Sequence, residues 1–370
     1  MNNPFRYGRV VGGDDFCPRP EQQKQLENYI RADQNASVQG ERRMGKTSLA
    51  LAAAKRVKGG RTLHVDLLGI RTAEDFCRRV AVAAGRLDGD DSLLRKTLRL
   101  LSRLRPSLKV DPMTGEPSVS IDASETAPAD SLDAVFDMLA EHAKSMDLCV
   151  VLDEFQDVLN IDVAETLVAQ MRGRIQHMTN ICFLFLGSVR NRMYELFTNP
   201  KSPFFKSALL FEIGPIPDAD FAKFLRAKFE SGERKIGDET MNAVFSAAGR
   251  TPGDIQQLCH ALWETSEEGD VIDIRSVAKA LDFVFAQESA FYNDQVRLLT
   301  AFQERTLTTV AAAGGVKTLS GPFMMATGTA NRSSVKKALS RLAELGILFV
   351  RDGEFRFTNP FFRQWLLRRP

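Results

Sequence analysis

Two unbroken apolar runs, Leu148-Cys149-Val150-Val151-Leu152 and Ile181-Cys182-Phe183-Leu184-Phe185-Leu186, dominate the middle of the chain. Runs of this kind suit parallel strands buried on both faces. Shorter strand-like runs lie at Ala36-Ser37-Val38, at Leu63-His64-Val65-Asp66-Leu67-Leu68 and from Leu209 to Ile213. Helical stretches separate them: Glu21 to Arg31, Ser48 to Lys55, Thr72 (as cap) to about Gly85, 131–145 and 163–178. Alternation of strand and helix predicts an α/β core built on a doubly wound parallel sheet, with its site at the carboxyl edge of the strands.

An insertion over about 90–125 interrupts this rhythm. Residues 91–105 predict a basic amphipathic helix whose arginines (Arg95, Arg99, Arg103, Arg105) either face nucleic acid or are solvated. Leu108 to Val110 and Val119 to Ile121 then predict a hairpin around Met113-Thr114-Gly115. Ala123 to Asp130 is a polar connector.

From Pro215 the pattern turns helical. Asp218 is expected to cap 219–231 and Asp238 to cap 239–248, Pro252 opens 253–267, Asp273 precedes 275–287, and together these segments have the size of a lid. The last section predicts a winged helix. It has a long helix over 293–313, a turn over 321–327, a helix over 332–344 capped by Asn331, and a hairpin turning at Asp352-Gly353. The expected domains are therefore a core over 1–214, a helical lid over 215–287 and a winged helix over 288–370.

Composition adds little: 44% hydrophobic and 26% charged residues are ordinary for a globular protein of 370 residues. Charge distribution adds more. Residues 288–370 carry 12 Lys and Arg against 6 Asp and Glu, while the whole chain is only +2. The helix over 332–344 places Arg332, Lys336, Lys337 and Arg341 opposite Val335, Ala338, Leu339 and Leu342. Arg351, Arg356, Arg363, Arg368 and Arg369 add charge nearby. Such a patch suits DNA phosphates, or else is the solvated face of a module used for autoinhibition or assembly. The five cysteines show no C-x-x-C pair and read as reduced core thiols. Met1 to Val10 has no apolar signal-like stretch, and no run approaches a membrane span, so a cytoplasmic protein is expected. The four histidines look isolated, without metal-like spacing.

The chemistry is carried by Gly40-Glu41-Arg42-Arg43-Met44-Gly45-Lys46-Thr47-Ser48. This is a G-x-x-x-x-G-K-[ST] phosphate-binding loop between a strand and a helix, the context such a motif requires. Its glycines let the backbone curl around an anion, and the following helix presents its positive end. Lys46 would reach the β- and γ-phosphates of ATP, and Thr47 would offer its hydroxyl to Mg²⁺. Far downstream the Leu148 strand ends in Asp153-Glu154. Asp153 would join the Mg²⁺ shell, and Glu154 would act as general base on water. Ser188, just past the neighbouring strand, either touches the γ-phosphate or the water, or caps a helix. Arg250, in Gly249-Arg250-Thr251-Pro252, either reaches the γ-phosphate from the lid or is solvated.

These features together resemble the archaeal-type ATPase family, a branch of the STAND NTPases close to AAA+ proteins. The residues that carry the resemblance are Gly40 to Leu49, Val151-Leu152-Asp153-Glu154-Phe155-Gln156, Phe185-Leu186-Gly187-Ser188 and Asn359-Pro360-Phe361-Phe362 with Trp365-Leu366. The resemblance implies an ATPase core, a helical lid and a winged-helix tail. It also implies a place for Phe16 and Arg19 near adenine. Where members often carry Gly-Arg, this chain has Lys206-Ser207, which puts an arginine acting across a subunit interface in doubt. The Gly249–Pro252 segment is also one residue longer than the Gly-x-Pro form. Three readings follow: a nucleotide-controlled switch with slow Mg²⁺-dependent ATP hydrolysis, a DNA-associated ATPase, and a regulatory scaffold with structural ATP. ATP is the expected ligand in each. DNA, a protein partner or a second copy of the chain are the alternatives for what the tail meets.

Overall fold

The structure, a computed structural model, describes residues 2–57, 61–87, 106–110, 117–121, 128–144, 147–188, 192–317, 319–351 and 353–369. The helix expected over 91–105 and the turn at 113–115 lie outside these residues, as does most of the 123–130 connector. Contacts divide the chain into two units: Val10–Gly214, and Met1–Arg9 together with Pro215–Pro370.

The first unit is a five-stranded parallel sheet. Its strands are β1 (Ala36–Gln39), β2 (Arg61–Asp66), β5 (Leu148–Asp153), β6 (Ile181–Gly187) and β7 (Leu209–Glu212), in the order β2-β5-β6-β1-β7. A separate antiparallel hairpin, β3 (Pro106–Val110) with β4 (Pro117–Ile121), falls in the inserted region as expected. Its α-helices among the described residues are α1 (Pro20–Arg31), α2 (Lys46–Arg56), α3 (Ala73–Ala84), α4 (Pro128–Ala143), α5 (Ala164–Ile175) and α6 (Arg192–Thr198).

The two long apolar runs are buried at every position from Leu148 to Leu152 and from Ile181 to Leu186 because each feeds two cores. Leu148, Val150 and Leu152 face one cluster with Phe76, Phe136 and Met171. Cys149 and Val151 face the other, with Leu26, Leu49 and Ala53 of α1 and α2. Period-two alternation thus persists in space although it is invisible as polarity. Thr72 accepts a hydrogen bond from the Asp75 N–H and caps α3 as expected.

The second unit is mostly helical: α7 (Asp218–Glu230), α8 (Asp238–Ala247), α9 (Pro252–Glu264), α10 (Ile274–Arg297), α11 (Ala301–Ala313), α12 (Gly321–Ala326), α13 (Arg332–Glu344) and α14 (Pro360–Arg368). Asp218 and Asp238 open α7 and α8 rather than capping them. Pro217 and Gly237 hold the cap positions, and the acids sit in the first turn. The segment expected to end at 287 continues as one helix to Arg297, and the next begins at Ala301 behind the capping box of Thr300 and Gln303. A two-residue parallel pair, β8 (Lys235–Ile236) with β9 (Val271–Ile272), lies among the helices unannounced by any sequence pattern. The winged helix is present as expected. α11, α12 and α13 precede the hairpin β10 (Leu348–Arg351) with β11 (Glu354–Phe357), and Val316 bridges to Phe355. No helix among the described residues is long and apolar enough to cross a membrane.

Candidate nucleotide site

The loop after β1 is built around two positions that exclude a side chain or favour glycine. A β-carbon on Gly40 would lie 2.3 Å from Ile213 Cγ2 and 2.7 Å from Ile213 O, so the loop starts flush against the backbone beyond β7. Gly45 has φ +86° and Arg43 φ +64°. The left-handed conformation at Arg43 costs about 1–2 kcal/mol for a residue with a Cβ, and it belongs to the kind of turn that gathers N–H groups around an anion. Arg42 and Arg43 are exposed, Glu41 half-buried and Met44 buried. We expect Gly40→Ala to lower stability in chemical denaturation by about 1–3 kcal/mol, as an overpacked site does, and to weaken nucleotide binding with it.

Lys46 opens α2 and is only 6% exposed. Its ammonium donates to Gly40 O at 3.1 Å and Glu41 O at 3.0 Å. Burial lowers its pKa from the ordinary lysine value, and the carboxylates of Glu154 and Asp153 oppose that shift.

The next residue makes the contact that defines the site. Thr47 Oγ1 donates to Asp153 Oδ2 at 2.5 Å, across 106 residues of sequence. Asp153 Oδ1 also accepts the Glu154 N–H at 3.0 Å. Burial raises the Asp153 pKa, but His64 and Thr47 more than offset it, so the carboxyl titrates below its ordinary range and is ionised at neutral pH. His64 Nε2 lies 3.6 Å from Asp153 Oδ2, beyond hydrogen-bond range, and is a charge neighbour only when its ring is protonated.

Glu154 is half-buried with φ +50°, a left-handed conformation that a side-chain-bearing residue adopts only where the surroundings impose it. Phe155 imposes it here. Its ring is fully buried against Phe185 (centroids 4.7 Å) and Phe204 (5.6 Å), which pins the turn after β5. Gln156 Nε2 then donates to Glu154 Oε2 at 2.5 Å. A β-carbon on Gly187 would come within 2.4 Å of Gln156 Oε1, so the glycine before Ser188 makes room for that amide. Ser188 itself is half-buried at the same carboxyl edge.

Ser48 is buried, and its hydroxyl accepts the Val11 N–H at 3.1 Å. Arg19 is buried as well. Nη1 donates to Gly214 O at 2.7 Å and to Gln22 Oε1 at 3.0 Å, and Nη2 donates to Met44 O at 2.9 Å. Burial lowers its pKa to about 10, which leaves it charged at neutral pH.

Other expected positions belong to the second unit or have partners of their own. Arg250 belongs to the second unit, has φ +59°, and pairs with Asp218 Oδ2 at 3.1 Å. Pro252 is the first residue of α9 and is buried. Lys206, also left-handed at φ +55°, lays its ammonium 5.2 Å from the centre of the Phe205 ring. On α13, Arg332, Lys336, Lys337 and Arg341 are all exposed, while Val335, Ala338, Leu339 and Leu342 are buried. Arg341 pairs with Glu344. The surrounding arginines are more occupied than charge counting implies: Arg356 pairs with Glu354, Arg368 with Asp282 and Arg369 with Glu304, and Arg363 donates to Ala311 O.

Sequence reasoning missed two members of the site. His64 is not isolated, because β2 pairs with β5 and turns its imidazole toward Asp153. Gln156, two residues beyond Glu154, holds that carboxylate.

Strand order, the loop after β1 and the joining of Thr47 to Asp153 define the class: a P-loop NTPase fold with a C-terminal winged helix. Residues 290–368 match the family described as a probable winged helix domain. Comparison with curated proteins gives no match. Among solved structures, the chain is similar to a Walker-type ATPase of Pyrococcus abyssi, with 16% identity and a TM-score of 0.67 over 98% of this chain and 99% of that one. It is also similar to the ORC2 protein of Aeropyrum pernix, solved as ADPNP-ADP complexes (16% identity, TM-score 0.57, 98% and 96% covered). A third likeness is to the ORC1 protein of the same organism, solved in complex with DNA (14% identity, TM-score 0.54, 96% and 93% covered). At these identities the likeness is one of fold, and that fold agrees with the resemblance to archaeal-type ATPases.

Proposed function

We propose that the protein binds ATP with Mg²⁺ at residues 40–48 and hydrolyses it slowly, as a nucleotide-controlled switch of the archaeal-type ATPase kind. In this reading 1–214 is the ATPase core, 215–287 a helical lid and 288–370 the winged helix whose presentation the nucleotide governs. The observation that carries it is the Thr47–Asp153 contact, which brings together two oxygen groups of the kind a hard divalent cation takes. No group of three or more His, Cys, Asp or Glu among the described residues is placed to hold a metal, so nucleotide and water oxygens would complete the shell. Bound Mg²⁺ would offset charge on the β- and γ-phosphates.

The chain's own residues do the rest. Lys46 supplies a fixed cation beside the phosphates. Glu154, held at one oxygen by Gln156, uses its carboxylate to accept a proton from water. Ser188 serves as a contact that registers the γ-phosphate, and Arg19 lies toward the adenine side. The fold shared with a protein solved as ADPNP-ADP complexes supports the choice of adenine nucleotide. The test is phosphate release from ATP with and without Mg²⁺. Mg²⁺-dependent release is expected; absence of ATP binding would remove the reading, and binding without turnover would leave a scaffold with structural ATP.

A second reading is supported by the exposed cations of α13 and by the fold shared with a protein solved in complex with DNA. If α13 contacts duplex phosphates, neutralising Lys336 and Lys337 together makes the negative slope of log K against log salt shallower by about 1.8. Titration of labelled duplex at several salt concentrations measures it, and an unchanged slope removes α13 from any DNA interface.

A further inference from the structure

The chain passes between its two units twice, at Arg9–Val10 and at Gly214–Pro215. Both passages are tied, on the core side, to the phosphate loop. At the first, the Val11 N–H donates to Ser48 Oγ at 3.1 Å, one residue from Thr47. At the second, the Arg19 guanidinium joins Gly214 O at 2.7 Å to Met44 O at 2.9 Å. Gly40 adds a steric tie by packing against Ile213, whose N–H donates to Gln39 O at 2.7 Å.

Holding a triphosphate does not by itself require either tie. The Arg19 tie has a direct mechanical consequence, because a peptide unit is planar. The carbonyl of Met44 and the N–H of Gly45 belong to one rigid plane, so a loop that swings the Gly45 N–H toward phosphate must also swing the Met44 oxygen. That oxygen is held by the same rigid, forked guanidinium that holds Gly214. Ser48 sits in the first turn of α2 and follows any shift of Thr47 toward a bound cation.

We propose that Arg19 and Ser48 are positioning residues that carry the occupancy of the phosphate loop to the two chain crossings, so that nucleotide state sets the arrangement of the two units. This rests on the reading that the loop holds ATP. Coupling of this kind is reciprocal: whatever loosens a crossing changes how binding is felt there, and binding changes the crossing.

The test uses the full chain carrying Glu165→Cys on α5 and Lys223→Cys on α7, both exposed positions. The five native cysteines are buried, so fluorophores go to the introduced thiols. Energy transfer is titrated with ATP and Mg²⁺, and binding is measured separately by calorimetry. In the otherwise native chain a saturable change in transfer is expected. Val11→Pro removes the N–H without touching a loop residue and should cut that change about two-fold or more at its own saturating ATP, while Val11→Ala keeps the N–H and responds as the native chain does. Arg19→Lys, a point charge that cannot fork across two carbonyls, should cut the change similarly and provides the second variant should proline unfold the segment. Equal changes in all variants overturn the proposal, as does a native chain that binds ATP with no change in transfer. Loss of binding in the native chain is a separate result: it removes the site reading, and this proposal with it.

Discussion

Lys46→Ala is expected to weaken ATP binding about 100-fold and to abolish Mg²⁺-dependent phosphate release, because it deletes a charge-assisted contact and leaves phosphate charge unopposed in a partly dry site. The size follows from where the ammonium sits. With 6% of the residue exposed, burial penalises the charge, and the carboxylates of Glu154, Asp153 and Glu41 with two loop carbonyls offset that penalty. Arriving phosphates would give it a stronger partner than any it has in the free protein. The carbonyls it leaves behind border half-buried Glu41 and can turn to water, so stability should fall by only about 1–2 kcal/mol. Calorimetry for ATP affinity and thermal unfolding without nucleotide separate the two effects. Native affinity in a folded Lys46→Ala protein would place the nucleotide elsewhere.

Much of the core is legible in the sequence because its strongest signals are local. The runs 148–152 of β5 and 181–186 of β6 are buried on both faces, so their composition leaves no polar position to misread. The glycines of the phosphate loop announce a conformation that other residues resist. What is illegible depends on pairing. His64 reads as an ordinary strand residue until β2 is set beside β5. The break expected near 287 is absent because the acid at position 288 has partners that only the fold supplies. In the folded chain Glu288 accepts hydrogen bonds from Gln257 and the buried Tyr292, so an acid on the inner face continues α10 instead of ending it. The terminal arginines look like one basic surface in sequence, yet the carboxylates that pair with Arg368 and Arg369, Asp282 and Glu304, lie far back along the chain. Two-residue strands such as β8 and β9 are too short to carry a periodicity.

Glu154→Gln should separate binding from turnover: ATP affinity close to native, with phosphate release slowed by about 10²–10⁴-fold, the range lost when a positioned general base is removed. The substitution is nearly isosteric, so the left-handed turn, the burial of Phe155 and the loop all have reason to persist. The amide oxygen of the new glutamine can still accept from Gln156 Nε2, which keeps the side chain in place while its basicity is gone. This makes the variant sharper than Glu154→Ala, where the orphaned Gln156 amide would add a structural effect of its own. Gln156→Leu is the complementary change. It leaves the carboxylate but frees its orientation, and should slow turnover less than Glu154→Gln does while leaving ATP affinity intact. Single-turnover phosphate release beside equilibrium binding distinguishes the two. Native turnover in Glu154→Gln would strip Glu154 of the base assignment and pass the task of orienting water to another group at the carboxyl edge, where Ser188 and Asp153 stand closest in the order of strands.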